Sequence, residues 1–307
     1  MSSVAVTAQT AGASAARAAA KRRSRGRAPV GGSARRAGKV TYILLGAVLL
    51  ISMFPLYYTL LLGSSDPTSI AQSPIPQWLP DASLFTQFAT VITDSNINFW
   101  LALWNSTLIA VISSASVVLF STLAGYSFAK LNFRGRGPLL VFVIATMAVP
   151  VQLGIIPLYI LMAEIGWYGK VQAVILPGLV TAFGVFWMTQ YLSEALPYEL
   201  IEAARVDGAS MIRTFWSIAM PAALPAAAML GLFQFVQQWT NYFWPSIILT
   251  NENPTLPLVV RSLQANYFVD YSLVMGGIFL VTLPLLVLFF FVGRQLVAGI
   301  MAGAVKG

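Results

Sequence analysis

Six long apolar runs, each near the roughly 20 residues that cross a hydrocarbon core, leave this chain few folds to adopt. They are Val40 to Leu62, Leu101 to Ala124, Pro138 to Met162, Val171 to Tyr191, Ile218 to Gln238 and Leu273 to Val292. Each is continuously apolar, which excludes the segments of about ten alternating residues that build a membrane β-barrel. With 58% hydrophobic and only 9% charged residues and a mean hydropathy of +0.77, the chain is more apolar than a soluble core requires. The fold class expected is all-α, a polytopic membrane protein of six transmembrane helices. Pro55, Pro150, Pro157, Pro221, Pro225 and Pro284 fall inside or at the ends of these runs. In lipid the carbonyls they free need partners, and the resulting kinks serve either packing or hinge motion.

Charge orients the chain. Residues 1–39 carry Arg17, Lys21, Arg22, Arg23, Arg25, Arg27, Arg35, Arg36 and Lys39 without an acid. Such a segment buries no core and is expected to be a disordered basic tail, cytoplasmic by the positive-inside rule. Lys130, Arg134, Arg136, Arg205, Arg213, Arg294 and Lys306 fall on the same side, whereas Lys170 and Arg261 do not. Both termini are therefore expected in the cytoplasm, with residues 40–307 forming the six-helix domain. The loops Gly63 to Trp100, Ala163 to Lys170 and Thr240 to Ser272 face outward. The first apolar run is too long for a signal peptide, and the tail lacks the interleaved aromatics of a nucleic-acid binder.

The chain contains neither His nor Cys, so the commonest metal ligands, the usual general base and all thiol chemistry are missing. No Gly-x-x-x-x-Gly-Lys-Ser/Thr run is present to bind ATP. An enzyme is not expected, and neither catalytic nor metal-binding residues are assigned. The spans also lack Asp, Glu, Lys and Arg away from their ends. A central Asp costs about 2.5 to 3.5 kcal/mol on insertion scales and usually marks an ion-coupling site. The absence argues against an ion-coupled carrier, although sodium sites made of backbone carbonyls would escape this test.

The segment 192–217 far exceeds the roughly two to eight residues that usually join packed helices. It gathers Glu194, Glu199, Glu202, Arg205, Asp207 and Arg213 in a chain otherwise poor in charge. Pro197 suits a first helical position, Glu199 suits the first turn, and Asp207-Gly208 suits a helix stop. The expectation is a short helix, a sharp bend and a second helix feeding the fifth span.

Glu202-Ala203-Ala204, three residues, Gly208, nine residues, Ile218, one residue and Met220-Pro221 reproduce a known spacing. The segment resembles the Glu-Ala-Ala loop of permease subunits of binding-protein-dependent ATP-driven (ABC) importers, with Met220 standing where Leu is usual. Pro197-Tyr198-Glu199-Leu200, Phe215-Trp216, Trp239 to Pro245 and Gly303-Ala304-Val305-Lys306-Gly307 resemble the carbohydrate branch, similar to the smaller permease of the maltose type. The resemblance covers Val40 to Gly307 and implies the type I importer permease fold in a bacterial cell membrane. It implies a second, homologous permease, two ATPase subunits and an extracytoplasmic solute-binding protein as partners. This chain would bind no cofactor, ATP being used by the partner ATPase.

The resemblance further implies that Glu199, Glu202, Ala203, Ala204, Asp207, Gly208 and Ala209 form the ATPase-coupling surface. The cargo it implies is a sugar or oligosaccharide, such as a chitin- or starch-derived disaccharide; a polyol or glycerol phosphate is the alternative. Gln234, Gln237, Gln238, Trp239 and Asn241 offer amides and a ring suited to a neutral polyhydroxyl solute. They read equally as helix-joining polar groups and an interfacial aromatic belt. In similar permeases the outer loop meets the binding protein, here Leu256, Arg261, Gln264, Asn266 and Tyr267.

Overall fold

The computed structural model describes residues 38–72, 77–94, 97–265 and 269–304, with side-chain environments in the last helix described to Gly293. Most of the basic tail, Asn266, Tyr267 and the closing Val305-Lys306-Gly307 lie outside the described residues. Residues 1–55 and 56–307 are separate units. The helices are α1 (Lys39–Gly63), α2 (Pro67–Gln72), α3 (Ser83–Thr93), α4 (Phe99–Lys130), α5 (Arg136–Thr146), α6 (Ile155–Glu164) and α7 (Gln172–Ile175). They continue as α8 (Ala182–Ala195), α9 (Tyr198–Val206), α10 (Met211–Thr214), α11 (Met220–Trp239), α12 (Phe243–Ile248), α13 (Leu256–Leu263) and α14 (Tyr271–Ala304). Among the described residues, five helical segments are long and apolar enough to span a bilayer, and a bent pair makes a sixth. This is a multi-pass, all-α membrane protein.

Two spans differ from the sequence expectation. Pro138 to Met162 is not one straight helix: Arg136–Thr146 and Val151–Glu164 meet at 87°. Pro150 takes an extended conformation (φ −60°, ψ 126°), has no N–H to donate and disfavours helical geometry at Val149, so the ladder stops there. Val171 to Tyr191 is likewise interrupted. α7 passes into a 3₁₀ turn at Leu176–Gly178, and α8 restarts at Thr181, whose hydroxyl accepts the Gly184 N–H at 3.1 Å.

Within residues 56–307, α4 is the central helix and packs on both α8 and α11. Lipid tails are as apolar as leucine, so helices associate through close packing, and small residues mark the seams. Ala219, Ala223, Ala226 and Ala227 bring the α11 segment into one core with Val117, Tyr126, Met188, Leu192 and Phe215. Gly125 brings α4 against α8 so closely that a Cβ there would lie 2.7 Å from the Met188 carbonyl carbon. At the opposite end a second core unites Val91, Phe99, Trp239, Leu256, Val259, Leu263 and Val274.

Candidate functional site

The candidate site lies at the end of the molecule where α4 and α8 terminate. Leu196 and Pro197 form an extended joint after α8, and α9 starts at Tyr198, so Pro197 caps the helix instead of occupying its first turn. Glu199 in the first turn and Arg205 in the last both complement the helix dipole. The helix has two faces. Ile201 (1% exposed) and Ala204 are buried, Ile201 in the core shared with Tyr126, Ala129, Leu192, Leu196 and Phe215. Glu199, Glu202, Ala203, Arg205, Val206 and Asp207 are exposed, Val206 to 86%. The Ala-Ala pair is therefore divided, with Ala204 packing inward and Ala203 presented outward.

The bend has a specific origin. The Gly208 N–H donates to the Arg205 carbonyl at 3.0 Å, and the Ala209 N–H donates to the Ala204 carbonyl at 2.8 Å. With Gly208 left-handed at φ +76°, these two bonds make a Schellman motif that closes α9. Ser210 opens α10, its hydroxyl accepting the Arg213 N–H at 3.2 Å. A π-helical turn, Phe215–Ala219, follows, with the Met220 N–H bonded to the Phe215 carbonyl. Pro221, one residue on, has no N–H for the Ser217 carbonyl, which removes one α-type bond at this junction. The helix, bend and second helix expected from the sequence are thus present.

Only geometry, not space, makes Gly208 special, since a Cβ there would meet nothing within 4 Å. Gly208→Asn should be close to neutral because asparagine tolerates the left-handed region. Gly208→Val should cost about 1–3 kcal/mol locally and loosen the bend. Hydrogen exchange at Ala209 and Ser210 checks this, with faster exchange expected in the valine variant alone.

The amide-rich end of α11 lies toward the other end of the molecule, away from α9. Gln237 is exposed, while Gln234, Gln238 and Asn241 are half-buried. The Asn241 amide donates to Gln238 Oε1 at 3.4 Å, and Gln238 Nε2 packs against Gly178. Trp239 is 4% exposed, stacks on Phe235 and donates its indole N–H to the Val281 carbonyl at 3.3 Å. One edge of it reaches a largely apolar cavity of about 310 Å³ shared with Tyr242, Pro257, Val260 and Thr282. The α11 end and α13 thus meet, and both stand apart from α9.

α13 is amphipathic. Leu256 is fully buried, whereas Arg261 and Gln264 are exposed. The loop before it is anchored from α4: Asn105 Nδ2 donates to the Pro254 carbonyl at 3.0 Å, and Ser106 Oγ accepts the Leu256 N–H at 2.9 Å. Ser106→Ala would leave that buried donor unpaired, at a cost of about 1–3 kcal/mol. Limited proteolysis between Thr250 and Thr255 should become faster in this variant while cleavage elsewhere does not change.

Asn105 and Ser106 are not singled out by any motif, and Tyr198 stands out only as part of Pro197-Tyr198-Glu199-Leu200. Lys130 served only as a charge marking sidedness, although its place on the last turn of a span was a signal that it meets the following loop. Asn105 and Ser106 stand in an apolar run, where a polar side chain must find a partner.

Comparison with known proteins agrees with this architecture. Residues 118–298 match the family described as binding-protein-dependent transport system inner membrane component. The lactose transport system permease protein of Rhizobium radiobacter is 35% identical over 87% of this chain and 96% of its own length. An arabinooligosaccharides transport system permease protein of Halalkalibacterium halodurans is 30% identical over 85% of this chain and 93% of its own. A crystal structure of a bacterial ABC transporter involved in importing the acidic polysaccharide alginate shares the fold, with a TM-score of 0.70 at 22% identity, covering 87% of this chain and 99% of that one. The chain belongs to the family of inner-membrane components of binding-protein-dependent transport systems. It is a type I permease and a transport protein, not an enzyme.

Proposed function

We propose that this chain forms half of the translocation pathway of an ATP-driven importer for a sugar or oligosaccharide, and that α9 receives the motion of the ATPase. The observation that carries this reading is the two-faced α9. Its inward face is continuous with the core joining α4, α8 and the α11 segment, while its outward face leaves Glu202, Ala203 and Val206 exposed among the described residues. A push on such a helix is carried directly into long membrane helices. The relatives named for lactose and arabino-oligosaccharide transport, matched over most of their length, support a carbohydrate cargo.

In this reading the partners are a homologous second permease, two ATPases and an extracytoplasmic binding protein. The end bearing Lys130, Arg134, Arg136, Arg205 and Arg213 faces the cytoplasm, as the positive-inside rule requires. Arg261 and Gln264 of α13 then face the binding protein, and the half-buried amides of α11 lie beside the solute route. The test is reconstitution of the complex in proteoliposomes with binding protein and ATP, measuring uptake across a panel of saccharides, polyols and glycerol phosphate. ATP-dependent uptake of a saccharide supports the proposal. Uptake of only the last two classes overturns the sugar assignment, and uptake driven by an ion gradient without ATPase overturns the mechanism.

A further inference from the structure

Lys130 is the only charged side chain that is buried among the described residues, at 6% exposure. It is the last residue of α4, and its ammonium reaches across to the Ser193 carbonyl at 2.9 Å, in the last turn of α8. In return, the Tyr198 hydroxyl, on the first residue of α9, donates to the Lys130 carbonyl at 2.7 Å. The ammonium also lies 5.8 Å from the Tyr198 ring centroid, within the range of a cation–π contact. Three helix ends therefore meet at one residue. Helix ends leave carbonyls unpaired, and a cation is favoured beside them.

This lysine is not simply a cap for its own helix. Arg136 already donates to the carbonyls of Ala129 in α4, at 3.2 Å, and of Leu131 just after it, at 3.5 Å. The Lys130 bond runs between helices, and burying its charge carries a desolvation cost that a methionine of similar length would avoid. What the bond adds to the apolar contacts of Leu196 and Ile201 is direction. Apolar packing is non-directional and permits sliding, whereas the lysine and tyrosine bonds set one register across the extended Leu196-Pro197 joint.

We propose that Lys130 is a positioning residue that locks the end of α8 and the start of α9 to α4, so that these three move as one body when α9 is displaced. The proposal rests on the reading of α9 as the ATPase-docking helix and names the side chain that keeps this lever stiff.

The test uses the full complex in lipid nanodiscs. Because this chain has no cysteine of its own, Glu194→Cys and Val206→Cys carry its only spin labels when it is labelled before assembly with its partners, and their separation is read with and without Mg-ATP and vanadate. In the parent the distance distribution should not change on trapping. In Lys130→Met the Ser193 carbonyl loses its partner, and the population with α9 displaced should rise roughly tenfold in the trapped state. Lys130→Arg, which keeps a donor, should restore the parent behaviour, and Tyr198→Phe should give a smaller shift in the same direction. An unchanged distribution in Lys130→Met, with the complex intact, would overturn the proposal. Should that variant fail to assemble, Tyr198→Phe carries the test, because it removes one hydroxyl and keeps the ring. In a separate sample, Val206→Cys alone is cross-linked to the ATPase. Absence of that cross-link in the parent would remove the docking reading and this proposal with it, a result distinct from an unchanged distance in Lys130→Met.

Discussion

Changing Glu202 to lysine is expected, on the proposed docking of α9 to an ATPase, to lower ATP-driven uptake at least a hundredfold while the chain still folds, inserts and meets the proposed second permease. Glu202 is on the exposed face of α9, so the substitution removes no buried contact. If Glu202 meets a basic group on an ATPase surface, reversing its charge places like charges together at the interface. Such juxtaposition costs several kcal/mol, and each 1.4 kcal/mol is about tenfold in affinity. The checks are proteoliposome uptake, thermal stability of the purified complex and co-purification of the second permease. Near-normal uptake in the Glu202→Lys complex would show that motion enters elsewhere.

The largest effect on stability is expected from Gly125→Val. A Cβ at this position stands 2.7 Å from both the carbonyl carbon and the Cβ of Met188, and 2.9 Å from the Thr189 nitrogen. Two of these atoms are backbone and cannot rotate away, so α4 and α8 must separate. Overpacking this seam disturbs the core containing Val117, Tyr126, Met188 and Leu192 and costs about 1–3 kcal/mol, more where backbone has to move. The variant should reach the membrane yet yield no monodisperse complex, and Gly125→Ala should show the same defect in milder form. Size-exclusion profiles in detergent and unfolding temperature measure this. A Gly125→Val protein as stable as the parent would mean that α4 and α8 are not in close contact at Gly125.

Glu202 and Gly125 differ in how legible they are in the sequence. Glu202 stood out because charge is rare in this chain and because Glu202-Ala203-Ala204, Gly208 and Pro221 keep a known spacing. Gly125 sat unremarked in an apolar run, since nothing local distinguishes a glycine at a helix crossing from one of no consequence. Asp207-Gly208 was readable as a stop because left-handed geometry is a property of the residue itself. The break at Pro150 was visible only as a proline. Whether a membrane helix bends slightly or turns through 87° depends on what neighbouring helices offer the freed carbonyls.

Membership of the α-helical membrane class, the approximate spans and the helix-bend-helix loop followed from the sequence alone, because burial in lipid, backbone satisfaction and positive φ act over a few residues at a time. Tertiary structure alone decided that Ala204 packs inward while Ala203 faces out. It also placed Trp239 and Leu256 in the core, and joined Lys130, Ser193 and Tyr198 at one point. Those outcomes depend on which residues distant in the chain come within about 3 Å of one another, a distance relation that local propensity does not encode.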